Sequence, residues 1–407
     1  MPSSNTIAII GAGPSGLFAA ELLAKAGHDV TLYDQMATPA RKFLIAGRGG
    51  LNLTHSEPLD AFIARYGAAA EWLAPAIHAF TPGDLRDWCE GLGVETFVGS
   101  SGRVFPRSMK AVQLLRAWLM RLDKLGVRYI PRHRWFGWEG DALAFADTHR
   151  QTMHVHADAT LLALGGASWP RLGSDGAWTR ILTAKGIAIA PLRPANCGFT
   201  VEWSPYIREK FAGVPLKPIS ITHAGITRQG EAMMTEHGIE GGVMYALSSA
   251  LREMIAQAGN ATIHLDLRPA MTHEALTQKL QGRGNKSLPS FLRSAGFAPL
   301  AIALLHELIP PATLKTASAR TLAMHLKQLP LTLTGTSSMA RAISSAGGIA
   351  REELRDDFML RKKPGVFVAG EMLDWEAPTG GYLLQACFST AHYAAHGMMD
   401  FLRTKNA

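Results

Sequence analysis

Ile7-Ala-Ile-Ile-Gly11-Ala-Gly13-Pro-Ser-Gly16 reads as a buried strand running into a Gly-x-Gly-x-x-Gly turn. Leu17 to Ala26 is rich in Ala and Leu, as a helix is, and Gly27 stands where a left-handed cap belongs. Asp29-Val-Thr-Leu-Tyr-Asp34 then predicts a second short strand that ends in an acid. Strand, glycine turn, helix, strand and acid together form a dinucleotide-binding fingerprint. Gly11 permits the tight turn, Gly13 lets a pyrophosphate approach the backbone, and Gly16 lets helix and strand pack closely. The helix N-terminus offers free N–H groups to the phosphates. Asp34 is placed to accept from a ribose, and its charge argues against a 2′-phosphate, hence against NADP here. The fingerprint alone leaves FAD and NAD open.

Downstream, Thr38 to His55 is a second glycine-rich loop carrying Gly47, Gly49, Gly50, Lys42, Arg48, Asn52 and Thr54. Such a loop can lay N–H groups along an anionic ligand. Residues 58–98 read as helical, with Thr81-Pro-Gly-Asp84 as a start and Gly93 as a stop. Ser108 is expected to cap a helix that Gly126 ends, and a hairpin is expected around Glu139-Gly-Asp141. Met153 to Gly166 alternates and then turns continuously apolar, which predicts a strand entering the middle of a sheet. His154, His156 and Asp158 share its face, and an exposed strand face is favoured over a metal site. Ala163-Leu-Gly165-Gly166 is a small-residue turn of the kind that binds ligands at strand ends. From Pro191 prolines punctuate short β-like runs, and Leu288 to His325 is helical, so 191–335 reads as one inserted β/α domain. The last stretch regains α/β texture: Gly365 to Glu371 is a strand ending in small residues and an acid. Thr379-Gly380-Gly381 is then expected to open a helix reaching about His396. A helix N-terminus there suits the N1/C2 edge of a flavin. A second Gly-x-Gly-x-x-Gly after a strand is absent from the sequence, which disfavours separate FAD and NAD(P)H domains.

The 407 residues suggest two or three domains, and 47% hydrophobic with 18% charged residues describes a packed globular chain. Cys89, Cys197 and Cys387 are too far apart in sequence for a Cys-x-x-Cys motif, and so sparse a count fits a reducing, cytoplasmic setting. The first strand starts so early that no signal peptide is expected, and apolar runs are too short to span a bilayer. The net charge is +8, but Lys and Arg look scattered, with short clusters such as Arg361-Lys-Lys363 and Arg132-His-Arg134. Nucleic acid and membrane are therefore disfavoured as partners, and a small-molecule substrate is favoured.

Taken in order, Gly11 to Gly16, Lys42 to Thr54, Ala163 to Gly166, and Ala369-Gly-Glu-Met-Leu-Asp374 with Pro378-Thr-Gly-Gly-Tyr382 resemble a bacterial family of NAD(P)/FAD-dependent oxidoreductases that includes aminoacetone-oxidase-like flavoproteins. Gly102 to Ser108 and Met234 to Gly242 resemble family segments too. The resemblance implies an α/β, Rossmann-like, discontinuous FAD-binding domain of residues 1–190 and 336–407, with 191–335 inserted. It implies that Gly11, Gly13, Ser15 and Gly16 take the pyrophosphate and Asp34 the ribose, with Pro14 and Gln35 beside them. Lys42, Gly47, Arg48, Gly49 and Asn52 would lie along the pyrophosphate and flavin, and Ala163 and Gly165 near the adenosine. Gly370 and Glu371 would meet the ribityl chain, and Gly380, Gly381, Tyr382 and Leu383 the isoalloxazine. Many relatives carry Gly-Gly-Gly-Arg-Cys-Asn where this chain has Gly47-Arg-Gly-Gly-Leu-Asn52, so cysteine chemistry does not carry over.

The expectation is a cytoplasmic enzyme with non-covalent FAD that moves a hydride between a small organic substrate and flavin N5, with NAD(P)H as a candidate transient donor. Its substrate pocket is expected between the two domains. His237 and Tyr382 are the acid/base candidates, each read first as structural, and no metal is expected. The alternatives are a flavin-dependent RNA-modifying enzyme and a non-catalytic flavin sensor.

Overall fold

The computed structural model describes residues 4–46 and 49–406. It divides the chain into two compact units, Met1–Arg193 with Ile343–Ala407, and Pro194–Ala342.

The first unit is a doubly wound α/β fold. Its five-stranded sheet runs Val366–Val368, Ala159–Leu162, Thr6–Ile10, Asp29–Tyr33, Arg128–Ile130, with every neighbouring pair parallel. Thr6–Ile10 is central, with Ile7 in register with both Ala159 and Val30. Central position is why Ile7, Ala8, Ile9 and Ile10 are all buried. The helix Pro14–Lys25 packs against the final helix Tyr382–Asn406, with Phe18 and Phe388 centroids 5.1 Å apart. Buried Glu21 is satisfied there by Lys25 (2.6 Å), Arg121 (3.0 Å) and the Trp88 indole N–H (3.1 Å).

Some local readings change. Thr81 caps Pro82–Gly91 in a full capping box, as its spacing suggests. Ser108 is not a cap: the helix is Ala111–Lys124 with Lys110 at the N-cap, while Ser108 Oγ accepts from Lys110 N at 3.3 Å. Met153 to Gly166 is two strands, Thr152–Val155 in an antiparallel hairpin sheet and Ala159–Leu162 in the parallel sheet. The break comes where the Asp158 carboxylate takes the Thr6 N–H and hydroxyl, both at 2.9 Å. His154 pairs with Glu139, and the described residues contain no cluster that could hold a metal. The final helix starts at Tyr382, three residues after Thr379, and runs ten residues past His396. No helix of the described residues is long and apolar enough to cross a membrane.

The second unit is an antiparallel seven-stranded sheet with short helices. Pro215–His223 and Ile226–Thr235 form its central hairpin, flanked by Ala261–Asp266 on one side and Gly238–Glu240 on the other. Ile221, Ile263 and Leu265 meet Leu304, Leu305 and Leu326 of the helices in one core. An α/β Rossmann-like fold interrupted by a β-rich and helical insertion is therefore the architecture.

Candidate functional site

A cleft opens at the carboxyl ends of the parallel strands of the first unit. Each fingerprint glycine has a different job there. Gly11 sits at φ +106°, and a Cβ on it would collide with the Ala163 carbonyl. A Cβ on Gly16 would collide with the Gly11 carbonyl, so Gly16 sets how closely helix and strand pack. Gly13 is different. Its φ is −81°, open to any residue, and a Cβ on it would meet nothing within 4 Å. The protein's own packing gives no reason for glycine there, whereas a ligand pressed against the backbone does. Gly13 is also the N-cap of the helix and supplies no side-chain cap, so the first-turn N–H groups are left for the cleft.

Asp34 closes this loop. Its carboxylate accepts from Ala12 N at 2.7 Å and Met36 N at 2.6 Å, and burial still raises its pKa. It therefore shapes the turn as well as facing the cleft. Gln35 Nε2 donates to the Gly173 carbonyl at 2.8 Å. Lys42 is in a short helix, Arg41–Ala46, rather than in an open loop. Its ammonium donates to Ser168 Oγ (2.7 Å) and Glu371 Oε2 (2.8 Å). The other oxygen, Glu371 Oε1, is buried and has no partner within the protein, and so is Ser174 Oγ; both residues line the cleft. Two unsatisfied buried oxygens beside a glycine loop fit a ligand rich in hydroxyls.

Gly11, Gly13, Pro14, Ser15, Asp34, Gln35, Lys42, Ala163, Gly165 and Glu371 all line this one cleft. Gly16 and Gly370 act just behind it. A Cβ on Gly370 would press on Ser15 Oγ, which donates to the Cys387 carbonyl at 3.0 Å. Gly49, Asn52, Gly380, Gly381, Tyr382 and Leu383 are not among the lining residues, and Gly47 and Arg48 lie outside the described residues. Around the start of the final helix, Asn52, Thr54, Gly381 and Tyr382 make a second group. Gly381, at φ +98°, packs on the Thr54 backbone, and Asn52 Oδ1 and Thr54 Oγ1 are buried without protein partners. Tyr382 Oη donates to Glu57 Oε1 at 2.5 Å, Glu57 is held by Arg65 at 2.7 Å, and the His55 ring stacks on Tyr382 at 5.5 Å. Burial and the Glu57 charge raise the Tyr382 pKa, so this phenol is a poor proton donor. His237 is exposed beside Glu236.

Sequence reasoning missed Ser174, Trp178 and Cys387. The Trp178 indole donates to the Gly165 carbonyl at 2.8 Å and fixes the small-residue turn. Cys387 reaches the cleft from the final helix, and burial pushes its thiol up to about 12, so it is neutral. Only Ser174 carried a signal, as part of Gly173-Ser-Asp-Gly176 directly after the turn.

The fit to a dinucleotide is thus good: open backbone at Gly13, a free helix N-terminus, and unsatisfied oxygens further along. Known proteins agree in fold. A family profile described as HI0933-like protein Rossmann domain matches residues 5–397. The chain is 27% identical to a 3-dehydro-bile acid delta(4,6)-reductase of Clostridium scindens, over 97% of this chain and 99% of that one. It is 26% identical to the ribosomal RNA dihydrouridine synthase of Escherichia coli, over 96% of this chain and 97% of that one. In three dimensions it resembles 3-ketosteroid delta1-dehydrogenase from Sterolibacterium denitrificans, with a TM-score of 0.54 at 12% identity, over 98% of this chain and 100% of that one. With its profile match running from the first strand into the final helix, the chain belongs to the HI0933-like family and has the fold of an FAD-binding oxidoreductase enzyme.

Proposed function

We propose that this protein is an FAD-dependent reductase that adds two hydrogens across a carbon–carbon double bond conjugated to a carbonyl. The cofactor half of this reading is carried by Gly13, the fingerprint glycine that internal packing does not require. The reaction half is supported by the two full-length relatives. One is named for reducing the Δ4,6 bonds of a 3-dehydro bile acid, the other for making dihydrouridine. In both substrates the reduced bond is conjugated to a ring carbonyl, and hydride adds readily to the far end of such a system. Neither name describes amine oxidation, so the aminoacetone-oxidase-like branch of the family serves as the competing substrate class.

Non-covalent FAD would supply hydride chemistry when bound, with NAD(P)H refilling it. The chain's own contributions are positioning and field. The Ser15 and Gly16 N–H groups would meet the pyrophosphate, and Asp34 the ribose, through lone pairs left beside its backbone bonds. Lys42 holds Glu371 so that its free oxygen is presented to a hydroxyl. The N-terminus of the final helix, from Tyr382, favours negative charge nearby. Cys89 and Cys387, buried thiols, are in keeping with a cytoplasmic setting.

The test is anaerobic. Protein reconstituted with FAD is reduced with NADH or NADPH, and the visible absorbance is followed as a 4-en-3-one steroid, ribosomal RNA or aminoacetone is added. Reoxidation by the steroid or the RNA, with a product heavier by two hydrogens, is expected. Reduction of the oxidised flavin by the amine, without reoxidation by either unsaturated substrate, would overturn the reading.

A further inference from the structure

Three lysine and arginine side chains line the cleft of the first unit: Arg41, Lys42 and Arg134. Two of them are engaged by the protein. Lys42 donates to Ser168 Oγ at 2.7 Å and to Glu371 Oε2 at 2.8 Å, and Arg134 donates to Asp175 Oδ2 at 3.0 Å. Half-buried Arg41 has neither an ion pair nor a side-chain hydrogen bond among the described residues. The acids that line the cleft are used elsewhere. Glu371 and Asp175 are matched by those two cations, and Asp34 accepts from the Ala12 and Met36 N–H groups at 2.7 and 2.6 Å. Asp34 is within electrostatic reach of Arg41 but forms no ion pair with it. A half-buried guanidinium without a partner costs desolvation, which an anionic ligand offsets.

The backbone delivers Arg41 to the glycine turn. Ala40, the residue before it, is buried and left-handed at φ +55°, a region that a residue with a Cβ seldom occupies. Its N–H donates to the Ala12 carbonyl at 2.8 Å, in the middle of Gly11-Ala-Gly13, and that bond holds the strained corner. The Ala40 carbonyl then accepts from Leu44 N at 3.0 Å and starts the helix Arg41–Ala46. Arg41 is therefore the first residue after a corner pinned to the fingerprint loop. On the same loop Gly13 leaves its backbone uncovered, and the helix Pro14–Lys25 begins without a side-chain cap. Free N–H groups and an unpaired guanidinium thus line one cleft, and both recognise phosphate oxygens.

We propose that Arg41 is the side chain that neutralises the pyrophosphate of the bound dinucleotide, while Lys42, its neighbour in sequence, holds Glu371 for the hydroxyls of the same ligand. Adjacent cations divide the ligand between them: one meets phosphate charge and the other positions a carboxylate. The guanidinium, with its fork of donors, suits two phosphate oxygens better than an ammonium does. This rests on the cofactor reading above and adds a residue to that site.

The test separates phosphate contacts from hydroxyl contacts by the choice of ligand. The full chain freed of flavin is titrated calorimetrically with FAD and with ADP, and adenosine is measured as a competitor of FAD. Wild type is compared with Arg41→Gln, Arg41→Lys and Lys42→Gln. Arg41→Gln is expected to weaken FAD and ADP alike, by about 10- to 100-fold, and to leave adenosine unchanged. Arg41→Lys should recover part of that loss, because the charge remains and the fork does not. Lys42→Gln should weaken FAD and leave ADP unchanged, since ADP has no ribityl hydroxyls for Glu371 to meet. Without ligand, Arg41→Gln should melt at the wild-type temperature. An ADP affinity untouched by Arg41→Gln, or an equal loss of ADP affinity in Lys42→Gln, would overturn the proposal. So would a loss for adenosine as large as that for ADP, because Arg41 would then act through Asp34. In each of these cases FAD binding by wild type leaves the cofactor reading standing, whereas a wild type that binds neither FAD nor ADP would overturn both.

Discussion

At the core and around the cleft of the unit built on Thr6–Ile10, cations meet acids: Lys25 and Arg121 meet on Glu21, Lys42 on Glu371, Arg65 on Glu57 and Arg134 on Asp175. On the surface of the unit Pro194–Ala342, Lys279, Lys286, Arg293, Lys315 and Arg320 are exposed and form no ion pair among the described residues. The contrast teaches where each kind of charge is useful. A cofactor cleft needs fixed side chains, and an ion pair fixes them. Exposed cations outside the cleft have no such partner to fix them.

The largest effect should come from Gly16→Ala. Its new Cβ would strike the Gly11 carbonyl, and a main-chain obstacle cannot step aside. A loss of about 4 kcal/mol is expected in urea unfolding; a loss under ~1 kcal/mol would mean that helix and strand are not closely packed. Glu21→Gln comes next. It leaves Arg121 and Lys25 without their shared buried carboxylate, at a cost of about 3 kcal/mol. Lys315→Gln in the other unit should stay within about 0.5 kcal/mol of wild type, and similar values for the two would erase the contrast.

His392 gives the first unit an acid limit. Burial pushes its imidazole down to about 4, against Phe18, Phe80 and His396, with Asp84 the nearest acid. The unfolded chain takes up the proton near pH 6.5, and the folded one resists until about pH 4. The stabilisation is therefore complete above pH 6.5 and lost as pH falls towards 4, by about 2 kcal/mol. Denaturant melts at several pH values should show this slope, and His392→Leu should flatten it. The smallest stability effect belongs to Gly13→Ala, within about 0.5 kcal/mol of wild type because the Cβ meets no protein atom. FAD affinity should nevertheless fall about tenfold, since the pyrophosphate needs that space. A clear drop in thermal stability with unchanged FAD binding would assign Gly13 to packing.

Much of the fold was legible because its signals are local. The fingerprint, the Thr81 capping box and the hairpin at Glu139 to Asp141 each depend on residues within a few positions of one another. What stayed hidden depends on distant partners. Nothing near Met153 announces that Asp158 will turn away to cap Thr6. Cys387 joins the cleft only because Ser15 bonds its carbonyl from the far end of the chain. Asp34 was legible as a cleft acid, but not as the acceptor that closes the glycine loop.

The central claim is that the cleft around Gly13 holds FAD, and the visible spectrum of the purified protein tests it most directly. A yellow protein that releases intact FAD on heat denaturation, or a colourless one that gains the flavin spectrum on incubation with FAD, is the predicted result. A colourless protein that takes up no FAD would contradict the account.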